Sequence, residues 1–147
     1  MKLKIGENEY TIKFGYKPTL KEHIISKFVK MASVHDADGE MDFEKVEDLL
    51  LFIPEAVLVG LQVHHKDFRY DYDTKEGKEE MLNKAFDLVE EYMSGEEADA
   101  IGFFNQLQEA LLQDSFLRGL FQKEQKKQEE AESREKAKLT VVETAEN

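Results

Sequence analysis

The stretch Leu49-Leu-Leu-Phe-Ile-Pro-Glu-Ala-Val-Leu-Val-Gly-Leu61 decides the fold. Wound into a helix, it shows apolar residues on every face, and such an element must be buried all round. It contains Pro54 and Glu55 and falls short of the roughly 20 apolar residues that cross a bilayer. It therefore reads as the centre of a helical core, or as a surface that a partner covers. Pro54 has no N–H to give a helix interior but suits a first helical position. The spacing thus predicts one helix from an N-cap at Asp42 to about Phe52 and a second from Pro54 to His65.

Upstream, residues 2–5 and 9–14 alternate polar and apolar around Gly6-Glu-Asn8, which predicts a β-hairpin. A lone hairpin is marginal in water, so it must pack on the helices or on a neighbouring subunit. Pro18-Thr19 opens a helix with Thr19 and Glu22 in capping-box spacing and Leu20, Ile24, Phe28 and Met31 on one stripe. Residues 33–40 read as a polar loop, and residues 66–73 as a polar, aromatic connection. Downstream, Leu82, Phe86, Val89 and Met93 make one stripe of a helix from about Lys75 to Met93, with Met81, Ala85, Leu88 and Tyr92 beside it. Ser94 and Glu97 repeat the capping-box spacing before a last helix from about Ala98 to Phe121. So short a connection favours an αα-hairpin. The expected fold is mainly α: a helical domain over 1–121 of about four to five helices with an N-terminal hairpin. A charged tail over 122–147, helical extension or disordered, follows because apolar residues lapse until Leu139, Val141 and Val142.

Composition narrows the function classes. Twenty Lys and Arg against 32 Asp and Glu leave a formal charge of −12. Residues 122–147 hold six basic and seven acidic side chains, so −11 belongs to 1–121. That charge repels phosphates and anionic lipid, which argues against nucleic-acid and membrane partners. With no cysteine there are no disulfides or thiolate sites, and a reducing, cytoplasmic compartment suits the chain. The start at Met1 carries no apolar stretch of signal-peptide length.

No catalytic motif emerges. His64 and His65 diverge by about 100° on a helix, and the HExxH spacing that would point to zinc is absent. Val34-His-Asp-Ala-Asp-Gly39 only partly matches a calcium loop: aligned on Gly39, Val34 takes the first ligand position and Lys45 replaces the bidentate glutamate. The pairs Glu79-Glu80, Glu90-Glu91 and Glu96-Glu97 lie on polar helix faces, where solvation is the ordinary reading. Neither an enzyme, a metal nor a cofactor is expected. The feature that stands out is apolar surplus, which with Phe103-Phe104 and Phe116-Leu117 could line a groove for a partner's helix. Leu50, Phe52, Val57, Leu61, Phe103, Phe104 and Leu107 form the pool from which partner contacts are expected.

The opening Met1-Lys-Leu-Lys-Ile-Gly-Glu-Asn-Glu-Tyr-Thr-Ile-Lys-Phe-Gly15, leading into the Leu20 to Met31 helix, resembles the tail assembly chaperones of long-tailed phages and prophages of Gram-positive bacteria. The likeness is one of pattern and organisation over most of 1–121. It implies binding of the tape measure protein's apolar helices, keeping them soluble while the tail tube polymerises, with the tail-tube protein as a further partner. It also implies self-assembly into a homo-oligomer, absence from the mature virion, and a longer frameshifted form, with which Lys126-Lys127 is compatible. The competing expectation is a structural tail-completion component, or an acidic regulatory protein that mimics nucleic acid.

Overall fold

The computed structural model describes residues 1–120, 123 and 126–134. The fold is mainly α, with a short two-stranded antiparallel hairpin at the N-terminus. Strands β1 (Lys2–Ile5) and β2 (Asn8–Thr11) pair with Lys2 opposite Thr11 and Ile5 opposite Asn8. Gly6 sits at φ +63 in the two-residue turn, a conformation that glycine adopts freely. Leu3 and Ile5 are buried and Lys2 and Lys4 exposed, and the alternation runs on beyond β2 through buried Ile12 and Phe14.

The hairpin packs on the helices. Past the ladder, the Lys13 N–H donates to the Gly60 carbonyl at 2.8 Å and the Thr11 N–H to His65 Nε2 at 2.9 Å. The end of the central helix α3 (Phe43–Leu61) thereby covers an open strand edge while the strand satisfies a helix-terminal carbonyl. Gly60 makes this approach possible: a Cβ there would lie 2.5 Å from Ile12 Cγ2. Ile12 is fully buried and stiff at χ1, so it cannot swing aside. Overpacking outweighs the gain in helix propensity, and Gly60→Ala is expected to cost about 1–2 kcal/mol in urea denaturation. Combining it with Ile12→Ala should give less than the sum of the two losses, the signature of direct contact.

The single helix expected over Thr19–Met31 is two: α1 (Tyr16–Lys21) and α2 (Ile24–Lys30). Because α1 begins ahead of Pro18, whose missing N–H costs nothing in a first turn, Thr19 lies inside the helix and no capping box forms. The chain breaks at His23, in the left-handed region at φ 54, as Glu22 turns into the interior. Leu20, expected on the buried stripe, is exposed.

The N-cap at Asp42 is present, accepting from the Glu44 and Lys45 N–H groups. The break at Pro54 is absent, and α3 runs through it. An interior proline costs about 3 kcal/mol. Here the flanking residues Phe52, Ile53, Ala56, Val57, Leu58, Val59 and Leu61 are all buried, which offsets that cost. The carbonyl left without a helical donor is that of Leu50, a solvent-facing residue.

Helix α4 (Lys78–Met93) starts after left-handed Gly77 and buries Ala85 and Val89; Phe86, expected in the stripe, is exposed. Helix α5 (Ala100–Gln113) buries Phe103, Phe104, Leu107, Ala110 and Leu111. Ser94 donates back to the Glu91 carbonyl and forms no capping box with Glu97. Both α4 and α5 pack on α3, joined at their near ends by Tyr92 against Phe103 at 4.6 Å, so α3 takes the place of the expected αα-hairpin. Helix α5 stops short of 121 because the Ser115 hydroxyl donates to the Leu111 carbonyl and accepts the Leu117 N–H. Residues 118–120, 123 and 126–134 are helical and exposed, a solvated extension. Expectations for Phe121, Gln122, Leu139, Val141 and Val142 lie outside the described residues. At the centre of the core, Phe28 meets Phe14, Phe52 and Phe104 at 5.0–6.0 Å between ring centroids.

Candidate docking surface

Six of the seven residues expected to supply partner contacts are core: Phe52, Val57, Leu61, Phe103, Phe104 and Leu107 are buried in the described chain. The physical reason is the length of α3. Its second half is enclosed by the hairpin, α4 and α5, and the facing side chains of α5 close over it. Leu50 alone of the pool faces solvent, and it belongs to a surface made by the first half of the helix.

At 100° per residue, Leu49, Phe52, Ile53 and Ala56 point toward the core, and Phe43, Glu47, Leu50 and Leu51 point the opposite way. Phe43 is 77% exposed, Leu51 55% and Leu50 43%, and Met41 just ahead of the helix is exposed as well. Two turns of helix thus present large apolar side chains to water. On the other flank of α3, Met31, Val34, Leu49, Ile101 and Phe104 contribute to the walls of a depression of about 240 Å³. That is smaller than the ~300–1,000 Å³ of small-molecule sites and suits an inserted apolar side chain. Exposed Phe116 of the expected groove packs instead on Tyr16 at 5.1 Å, away from Phe103 and Phe104.

A second cluster of chemistry-bearing groups was read from sequence only as half a capping box. The Glu22 carboxylate is buried, 3% exposed, and pairs with the ammonium groups of Lys75 and Lys78. Lys78 also lies 3.7 Å from Glu55, which pairs with Lys27 of α2, and Lys21 meets Asp73 at 2.7 Å. Burial alone would push the Glu22 carboxyl up, and the two ammonium groups outweigh it and hold it below the usual range. Burial, reinforced by the Glu22 charge, pushes the Tyr70 phenol up, so it stays neutral. The cluster ties the α1–α2 break, α3 and the connection into α4 together. Each charge is answered by a fixed partner, an arrangement that holds segments in place.

The histidines are scattered. His23 occupies the helix break, His35 an isolated bridge to Met41, and His65 accepts from Thr11 with its ring against Tyr10. The 33–40 loop is an acidic turn in which Asp36 Oδ1 accepts from the Asp38 and Glu40 N–H groups. Among the described residues no group of three His, Asp or Glu side chains is placed to hold a metal ion, and no helix is long and apolar enough to cross a membrane. The carboxylate pairs at 79–80, 90–91 and 96–97 are exposed. No protein-family model, curated protein or solved structure matches this chain.

Proposed function

We propose that the protein is a binding protein that takes up an apolar helix of a partner. Following the likeness of its opening sequence to phage tail assembly chaperones, the partner is the tape measure protein, held soluble in the host cytoplasm while the tail tube forms. The observation that carries the binding reading is the outward face of α3, where Phe43 and, two turns on, Leu50 and Leu51 stand in water. Solvent-exposed apolar side chains at i, i+7 and i+8 offer a partner helix an apolar surface to pack on.

The experiment is co-expression with the tape measure protein encoded nearby in the same genome, followed by affinity purification. A soluble complex supports the reading, and recovery of this chain alone beside insoluble tape measure protein overturns it. The variant Leu50→Gln/Leu51→Gln should keep its unfolding free energy within about 1 kcal/mol, because both side chains already face water. It should lose the co-purifying partner.

A further inference from the structure

The outward face of α3 begins in one of the most acidic parts of the chain. Residues 36–48 hold seven Asp and Glu side chains against one basic residue, Lys45, half of the formal charge of the protein in 13 positions. Lys45 is committed to the His35 carbonyl. Asp42 caps the helix and Glu44 lies in its first turn, where the helix dipole favours negative charge. Glu47 and Asp48 lie in the second turn, beyond the reach of that explanation. They are exposed, and among the described residues neither they nor Glu44 has an ion-pair partner. An apolar face with the unanswered Glu47 carboxylate at its middle and Glu44 beside it has its complement in an apolar stripe set among cations.

We propose that this face docks a protein helix whose apolar anchors are flanked by lysine or arginine. The inference rests on the docking reading above and specifies the chemistry of the partner. An anionic lipid surface or a nucleic acid is repelled by the same carboxylates. A second copy of this chain is disfavoured too, since a two-fold contact through the face would set Glu44, Glu47 and Asp48 against their own equivalents. Flanking cations give encounter rate and selectivity, while Phe43, Leu50 and Leu51 give the dry contact.

Three synthetic helical peptides separate these contributions when titrated against the full chain by fluorescence anisotropy. Two share a leucine stripe, flanked in one by lysine and in the other by glutamate; the third keeps the lysines but carries serine in the stripe. The lysine-flanked leucine peptide should bind about tenfold or more tighter than the glutamate-flanked one at about 0.05 M salt, with the gap closing near 0.5 M. The variant Glu44→Gln/Glu47→Gln/Asp48→Asn, with its helix content checked by circular dichroism, should lose that discrimination, and Leu50→Gln/Leu51→Gln should lose binding. Equal binding of the two leucine peptides would overturn the charge requirement and leave the docking reading standing. Binding of the serine peptide as tightly as the leucine peptide would reduce the effect to charge attraction and overturn the proposal. No peptide binding despite a co-purifying tape measure protein would place the contact elsewhere. Self-association abolished by Leu50→Gln/Leu51→Gln would make a second copy the occupant.

Discussion

Phe28→Ala is expected to lower the free energy of unfolding by about 3–5 kcal/mol, the range for deleting a buried aromatic ring. The ring is 2% exposed and contacts three others, from the segment after β2 (Phe14), from α3 (Phe52) and from α5 (Phe104). Two of these contacts are edge-to-face, the geometry that adds to area burial. Because α2 is only seven residues long, it cannot slide inward to fill the void without dragging the break at His23 and the ion pairs beside it. Against the ~5–15 kcal/mol total typical of a domain, such a loss brings the chain to the edge of folding. Urea denaturation followed by circular dichroism measures it. Phe28→Leu, which keeps most of the volume, should lose less than half as much. Equal losses for the two would show that the ring contacts carry the energy and the cavity does not.

What sequence could show follows from how local each cause is. The hairpin and the Asp42 cap were legible because period-two alternation and one side-chain cap each act within a few residues. The all-round apolar character of Leu49–Leu61 read as burial on every face, which holds from Phe52 onward and fails at Leu50 and Leu51, both exposed. The course of the chain through Pro54 was not, since local propensity says break and the enclosing elements decide otherwise. Nor was the break at His23, whose cause is the pairing of Glu22 with lysines 53 and 56 positions away. At the candidate site, Leu50 was singled out while Phe43 and Leu51 were missed. Their signal was present: residues 43, 47, 50 and 51 share one face of α3, opposite Leu49, Phe52 and Ile53, and Glu47 interrupts that face. Which of two apolar faces is enclosed depends on where the hairpin, α4 and α5 land, and periodicity within α3 cannot say.

Glu22→Gln is expected to cost about 2–3 kcal/mol at pH 7, below the ~3–5 kcal/mol for breaking a fully buried pair, because Lys75 and Lys78 reach water and can be resolvated. The substitution keeps shape and one acceptor oxygen and removes the charge that two ammonium groups surround. Its signature is the pH dependence. The folded-state carboxyl is held below its unfolded value, so the unfolded chain binds more protons in that window and stability rises with pH through it. The contribution is complete above the ordinary glutamate pKa of about 4.3 and is lost as pH falls through the lower folded value. Stability curves of the two proteins should therefore run parallel at neutral pH and converge in acid below about pH 4, where the native side chain is protonated and resembles glutamine. At the alkaline end the same substitution removes one of the influences that raise the Tyr70 phenol, burial being the larger. A raised phenol contributes stability that is complete below the ordinary tyrosine pKa of about 10 and is lost as pH climbs from there to the folded value; the loss begins at the same pH in both proteins, and the variant, whose phenol is raised less, should lose less and level off at lower pH. A gap between the two proteins that stays constant from neutral to strongly acidic pH would mean that Glu22 acts through packing, with its paired charge contributing nothing.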